Sequence, residues 1–383
     1  MQPIQIIFFI SAGLVVYSYL VYPLIVGVLY LLKRKKDMPQ KRMRWPAVSI
    51  IIAAYNEEEL IRERIENCLS LDYPEGMLEI VIASDGSTDH TNKIVREYQD
   101  HGVRLLGFKT RRGKVNVLND AIKHSLHPIV IMSDANTMFK ADAAKKLVRH
   151  FQDPAVGCVC GALHFVNAKG SHSGELEGIY WRYENFLKKM EGAWGSLLGA
   201  NGAIYAISKD LFEPCPPDTI VEDFVIPMRI LERGFRVEYE PLAIAKEETT
   251  KHIIQEKERR IRIGAGDFQA LGLLWRILNP LRGFPAFAFW SHKVLRWFAP
   301  FFLIAAFLSN LILVNEPGFA FLFLGQSTFY TAALIGQALS WSGIKNKFFN
   351  LCYYFVSMNL ALLLGFVKFL TNSQKVTWAR TER

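Results

Sequence analysis

Five cysteines in 383 residues form no CxxC pair and no metal-ligand spacing. That excludes a disulfide framework and a thiolate zinc site, so Cys68, Cys158, Cys160, Cys215 and Cys352 read as reduced thiols. Internal repeats and low-complexity tracts are also missing. A phosphate-cradling P-loop is absent too: Gly107 to Gly113 is one residue too long, and Val115 follows Lys114 where Ser or Thr is required. The most telling absence is of charge. Residues 4–32 carry no ionisable group other than tyrosine, a run well beyond the roughly 20 residues that cross a bilayer as a helix. A signal peptide has a shorter apolar core behind a basic start. Here the positive charges follow the run, so it reads as a membrane anchor.

Those charges are Lys33, Arg34, Lys35 and Lys36, then Lys41, Arg42 and Arg44. Under the positive-inside rule they place that flank, and the domain after it, in the cytoplasm, with the chain integral to an inner or plasma membrane. The net charge of +9 is thereby a topology and headgroup signal rather than a nucleic-acid footprint. A nucleic-acid binder has only the charge in its favour and predicts steeply salt-dependent binding.

From residue 47 to 153 strand and helix alternate. Residues 48–54, 79–83, 103–108 and 129–132 are apolar strands, and helical periodicity follows the first through Leu60, Ile61, Ile65 and Leu69. Thr88 or Ser87 is placed to cap the next helix, and 114–125 is a further one. Repeated βα units imply a mostly parallel sheet with helices on both faces, and ligands in such sheets bind beyond the carboxyl ends of the strands. Tyr55, Asp85 and Asp134 fall there. An acidic residue at that mouth, as in Ser133-Asp134-Ala135-Asn136, suits a divalent cation held against a diphosphate.

Farther on, residues 192–208 form a glycine-rich binding loop leading into a strand, and Cys215 to Asp218 a turn. Residues 223–233 read as a helix that tolerates Pro227 in its first turns, 236–239 as a short strand, and 251–262 as a basic helix. Aromatic and basic residues between 271 and 296 suggest a helix lying in the membrane interface. Residues 297–314, 319–339 and 348–370 are three more apolar runs, with Lys368 able to snorkel. Three crossings would leave the tail outside, yet Lys375, Arg380 and Arg383 favour the inside; the run broken by Gly325, Gln326, Gly336 and Gln337 looks weakest.

Taken together and in order, VSIIIAAYNEEE, ASDGSTD, RRGKVNVLN, SDAN, VED and ERRIR resemble a membrane-bound family 2 glycosyltransferase, the group of cellulose, hyaluronan and poly-N-acetylglucosamine synthases and ceramide glucosyltransferase. The resemblance covers residues 47–269 and the flanking membrane helices. It implies a GT-A fold, a nucleotide-sugar donor, Mg²⁺ or Mn²⁺, and inversion at the anomeric carbon. It gives Asp85 the N–H of a uracil ring, and Tyr55 and Glu57 the border of base and ribose. Lys114 falls near the donor. Asp134 and Asn136 correspond to the metal-binding DxD, with Asn in place of the second Asp, so the metal leans harder on the diphosphate. Asp223 is the base beside the acceptor hydroxyl, kept ionised by a helix N-terminus, with Glu222 its neighbour. Arg259, Arg260 and Arg262 sit at the QxxRW position, where a guanidinium binds diphosphate. Ile263 stands where the family has Trp, which removes an aromatic platform near the acceptor.

The expected organisation is an anchor and basic flank over 1–44, a cytoplasmic GT-A domain over 45–270, interfacial helices over 271–296 and membrane helices over 297–383. The expected activity is inverting transfer from a nucleotide sugar, most simply a UDP-sugar, to a polysaccharide. Two alternatives stand beside it: single transfer to a lipid, and a silent nucleotide-sugar-binding subunit of an export complex. The sequence leaves the sugar, linkage and oligomeric state open.

Overall fold

In a computed structural model, residues 2–33, 44–166, 174–248, 253–344 and 346–374 are described. Arg34, Lys35, Lys36, Lys41, Arg42, Lys251, Lys375, Arg380 and Arg383 lie outside the described residues. Eight strands, β1 (Val48–Ala54), β2 (Leu78–Ser84), β3 (Val103–Gly107), β4 (Ile129–Asp134), β5 (Thr137–Phe139), β6 (Val156–Val166), β7 (Tyr205–Ser208) and β8 (Arg236–Glu248), form one sheet. Its order is β3-β2-β1-β4-β7-β6-β8-β5. The β3-β2-β1-β4 half is wholly parallel, as the βα alternation requires. The other half is mixed: β6 and β8 run parallel, while β7 is antiparallel to both its neighbours and β5 to β8.

Every residue of β1 is buried, so apart from Ser49 the strand is apolar rather than alternating. Successive side chains nevertheless go to opposite faces. Ile50 and Ile52 pack with the helices Ile61–Leu69 and Ala143–Val148, while Ile51 and Ala53 face the layer of the helices Lys114–His124 and Glu222–Glu232. Tyr22 and Val26 of the N-terminal helix belong to that second layer. The sheet is therefore joined to the membrane elements through one face only.

β5 and β6 were not apparent from the sequence, and β8 runs far beyond 236–239. The reason lies in the pairing. β8 contains Pro241, and its register against β6 jumps from Gly161↔Glu240 to Ala162↔Ile244, so residues 241–243 bulge out and interrupt the apolar period. Gly161 permits the bulge, since a Cβ there would come within 2.6 Å of the Ala243 carbonyl. Thr88 and Ser87 do not cap the following helix. They bond Asn56 and Ser84, and Asp89 caps instead, accepting the Thr91 N–H at 3.0 Å.

Among the described residues, three helices are long and apolar enough to cross a membrane: Pro3–Leu32, Phe319–Trp341 and Lys347–Leu370. The run expected to be weakest is continuous over Phe319–Trp341. The interrupted one comes before it, where Phe284–Trp297 and Ala299–Ile312 meet at a 59° bend just ahead of Pro300. Residues 271–296 are also not one interfacial helix. They comprise 3₁₀ turns at Trp275–Leu278 and Pro280–Arg282, a short helix Phe284–Ala288 and a π turn Phe289–Val294. Phe289 is buried, while Trp275 and Leu281 remain exposed in keeping with an interface.

Candidate active site

The carboxyl ends of β2, β1 and β4 lie side by side and carry Asp85, Tyr55 and Asp134. Two strand spacings separate the first from the last, about 10 Å. Asn56 takes a positive φ of 54°, a conformation asparagine tolerates, and its Oδ1 accepts the Thr88 N–H at 2.8 Å, tying the ends of β1 and β2 together. A cavity of about 1730 Å³ opens beyond β4. Its walls include Glu57, Lys114, Asp134, Asn136, Glu222, Asp223, Arg259, Arg260 and Arg262, nine of the eleven residues singled out from the sequence.

Lys114 is the hub. It is the first residue of its helix, after Gly113 at φ +91°. Its Nζ lies 2.7 Å from Asp134 Oδ1 and 3.1 Å from Glu222 Oε1. Burial alone would discharge this amine, but the surrounding Asp134, Glu222 and Asp223 hold it protonated far above its ordinary range. Asp134 is held below its ordinary value: burial opposes this, and Lys114, then Arg259 and Arg262, overcome it. Arg259 and Arg262 are thus within electrostatic reach of the β4 carboxylate. Arg260 turns instead toward the Lys347–Leu370 helix, over the Tyr354 ring at 5.1 Å and against the Met358 sulfur.

The helix N-terminus is not the largest influence on Asp223. Burial, then the neighbouring Glu222, push its carboxyl up, and Lys114 offsets them only in part. Its Oδ2 accepts the Gly202 N–H at 3.1 Å. Its backbone carbonyl accepts the Ala200 N–H at 2.9 Å, and Pro227 explains why: proline lacks the N–H that would bond this carbonyl four residues back in the helix. The glycine-rich loop is therefore clamped to Asp223 at two points. A Cβ at Gly202 would lie 3.1 Å from Asp223 Oδ2 and 3.4 Å from Lys114 Nζ, so glycine keeps the site open.

Asp85 and Tyr55 are placed apart from the cavity wall. Asp85 is 0 % exposed, and its two oxygens accept the Arg112 N–H at 2.6 Å and the Gly113 N–H at 2.9 Å. It thereby anchors the loop that presents Lys114, a duty no sequence pattern announced. Gly86 makes room for that loop, since a Cβ there would meet the Arg111 nitrogen at 2.7 Å. Tyr55 carries the Arg111 guanidinium over its ring at 3.8 Å.

Three further residues escaped the sequence reading. Glu247 on β8 accepts from Asn136 Nδ2 at 2.7 Å, which fixes the amide and adds the negative charge that Asn136 itself lacks. Arg64 is wholly buried behind β4, donating to Ser133 Oγ at 3.0 Å. Asp267 faces the cavity from the Ile253–Leu273 helix, and burial pushes its carboxyl up to about 8. The i, i+4 spacing of Ile263 and Asp267 was a signal for the last, since it places the acid on the same face as the residue at the family's Trp position.

Residues 49–213 match the profile described as Glycosyl transferase family 2. Over these residues the cavity-bearing domain is similar to that family. Among curated relatives, the poly-β-1,6-N-acetyl-D-glucosamine synthase of Staphylococcus epidermidis is 28 % identical over 230 residues, 58 % of this chain and 55 % of that one. The synthase of the same name from Staphylococcus aureus strain COL is 29 % identical over 221 residues, 56 % and 52 % of the two chains. The matched region thus spans about half the length of these relatives. Among solved structures, the mannosyltransferase PcManGT of Pyrobaculum calidifontis, in complex with GDP-Man and Mn²⁺, superposes with a TM-score of 0.72 at 22 % identity, covering 96 % of this chain and 99 % of that one. The domain accordingly has the GT-A fold, and the likeness extends over the long apolar helices.

Proposed function

We propose that the protein is an inverting glycosyltransferase that moves a sugar from a nucleoside-diphosphate sugar, most simply a UDP-sugar, to a polysaccharide acceptor at the membrane. The observation that carries this reading is the clamped, upward-shifted carboxyl of Asp223 beside the Lys114–Asp134 ion pair, at the mouth of the sheet. A base works best when its pKa approaches the working pH. Asp223 takes the proton from the acceptor hydroxyl as that oxygen bonds to the anomeric carbon. The bond from that carbon to the diphosphate oxygen breaks on the opposite face, and the electron pair leaves with the diphosphate. Lys114, Arg259 and Arg262 receive the departing charge. The hard oxygens of Asp134 and Asn136 fit Mg²⁺ or Mn²⁺, with Asn136 turned by Glu247 so that its amide nitrogen points away. A bound divalent cation would neutralise the diphosphate there. The roughly 10 Å from Asp134 to the end of β2 suits the reach from diphosphate to base, with Tyr55 and its Arg111 partner at the end of β1 between them.

The names of the Staphylococcus relatives support a polysaccharide acceptor, and the neighbour's Mn²⁺ supports a divalent metal. A second reading, single transfer to a lipid, has an observation of its own. The cavity continues to Val16, Leu20, Phe348 and Leu351, apolar residues exposed on membrane helices. Product analysis separates the two: a ladder of oligosaccharides marks a polymerase, one glycolipid a single transfer. The founding experiment is nucleotide release from the purified protein with a panel of UDP-sugars and GDP-mannose. The Asp223→Asn variant should lose release; equal release by both proteins would remove Asp223 from the role of base and leave the binding-subunit alternative standing.

The arrangement proposed is 1–44 anchor and flank, 45–270 catalytic domain facing the cytoplasm, 271–296 interfacial segment and 297–383 membrane helices. Ala299–Ile312 runs beside the N-terminal helix to its far end, where Gln2 meets Glu316 at 3.5 Å and Phe8 meets Phe319 at 5.5 Å. Phe319–Trp341 then returns. Lys347–Leu370 packs its second half on the Ile253–Leu273 helix and on Phe301, with Phe301 and Phe366 4.9 Å apart. On this path the last helix stays at the cytoplasmic level, and three crossings return the basic tail to the side of residues 33–44.

A further inference from the structure

The cavity of about 1730 Å³ exceeds the roughly 300–1,000 Å³ that one ligand usually fills. Asp223 interacts electrostatically with two sets of its lining residues. One is Lys114 and Asp134, assigned above to the donor. The other includes Asp267 and Lys188, with Asn201, Glu184 and Lys293 beside them. Asp267 feels Asp223, Glu184 and Lys293 electrostatically, and no hydrogen bond or ion pair within 4 Å holds its carboxyl among the described residues. Asn201 is 9 % exposed, and its amide is oriented: Oδ1 accepts from Lys188 Nζ at 2.6 Å, leaving Nδ2 buried without a partner. A half-buried carboxyl and a buried amide donor, neither with a hydrogen-bond partner among the described residues, therefore line the same chamber, beside the residue proposed as base. A buried polar group left unpaired calls for an explanation.

We propose that Asp267 and Asn201 form the subsite for the accepting sugar, a neutral pyranose held by two hydroxyls while a third faces Asp223. The inference rests on the reading of Asp223 as base and adds the chemical class of the acceptor end. A hydroxyl both donates and accepts, so it satisfies the Asp267 carboxyl and the Asn201 amide alike. A phosphate would bring its charge against the carboxyl groups of Asp223 and Glu184. The nearby cations are engaged, Lys188 with Asn201, and Lys293 with Glu184 at 3.8 Å. With Ile263 at the position where the family carries Trp, polar contacts take over the positioning that an aromatic platform would give.

The test uses the full-length protein in detergent or nanodiscs with its best donor from the nucleotide-release panel. Three acceptors are compared: neutral N-acetylglucosamine oligosaccharides, an alkyl glycoside carrying the same sugar, and a polyprenyl phosphate. Asp267→Ala should raise the KM for neutral acceptors about ten- to a hundredfold, the cost of leaving a sugar hydroxyl without its partner. Donor Kd by calorimetry should stay within about twofold. Asp267→Asn, which keeps the shape, guards against misfolding and should give a smaller rise in the same direction. Preference for the oligosaccharide over the alkyl glycoside, or the reverse, tells a free glycan from a lipid-borne one, and either supports the subsite. Transfer to polyprenyl phosphate in preference to both, or unchanged acceptor KM in both variants, overturns it. Failure of the underlying reading is separately visible, because Asp223→Asn would then release nucleotide as fast as the parent.

Discussion

Lys114 stands among three carboxyl groups, and its charge lowers Asp223 against the upward push of burial and Glu222. The sign of its removal follows. Without that cation the ionised form of Asp223 loses support, its pKa rises further, and the acid limb of the kcat/KM profile should move to higher pH in Lys114→Met. A limb that stays put or moves down would separate Lys114 from the base. Glu247 gives a second residue-scale expectation. It holds the amide of Asn136, and outer partners of metal ligands are worth about ten- to a hundredfold in affinity. Glu247→Ala should weaken Mn²⁺ binding by about that factor, read by calorimetry or by the electron-spin signal of free Mn²⁺, with no turnover needed. Neither effect was legible beforehand: Lys114 could be placed near the donor, but the desolvation that raises Asp223 depends on what packs over it.

At the scale of elements, two prolines do the same thing. Pro23 withholds an N–H from the N-terminal helix, where a π turn spans Tyr17–Val21, and the Tyr19 carbonyl accepts the Tyr183 hydroxyl at 2.9 Å. Pro227 withholds one from the Glu222–Glu232 helix, and the Asp223 carbonyl accepts from Ala200. In each case a carbonyl lost to the helix ties another segment to the functional region. Pro227→Ala supplies the missing N–H and so competes for that carbonyl. Interior proline costs a helix about 3 kcal/mol, so the variant should melt no lower than the parent. Turnover should nevertheless fall several-fold as residues 199–202 loosen around Asp223. A lower melting temperature with unchanged turnover would reduce Pro227 to ordinary packing. The proline itself was visible in the sequence as a tolerated irregularity; its recipient, some 25 residues upstream, was not.

For the whole molecule, the sheet meets the membrane helices through one face, and buried ion pairs lock the junction. Glu184 accepts from Arg296 at 2.9 Å, and Glu191 joins His292 at 2.6 Å and the Tyr22 hydroxyl at 2.8 Å. Burial resists ionising Glu184, yet Lys293, His292 and Arg296 hold it well below its usual range. On the proposed three-crossing path the tail lies on the cytoplasmic side. Ser373→Cys should therefore react with a membrane-impermeant maleimide in inside-out vesicles and not in right-side-out ones. Labelling from the outer side instead would make Lys347–Leu370 a fourth crossing and place the tail opposite the catalytic domain.

The amino-acid order by itself determined the N-terminal apolar helix, the parallel β3-β2-β1-β4 half with its acidic strand ends, and the choice of Lys114, Asp134, Asn136, Glu222 and Asp223, which line one cavity. These rest on contiguous patterns: absence of charge over 29 residues, largely apolar strands, and turns at fixed offsets. Tertiary structure decided the rest. Glu247 reaches Asn136 across 111 positions, Asp85 turns to the loop of Arg112 and Gly113, Arg260 leaves the donor side for Tyr354, and Asn201 is oriented by Lys188. A carboxyl's charge, an amide's orientation and a helix's level in the membrane are set by neighbours distant in the chain, and local pattern holds no record of them.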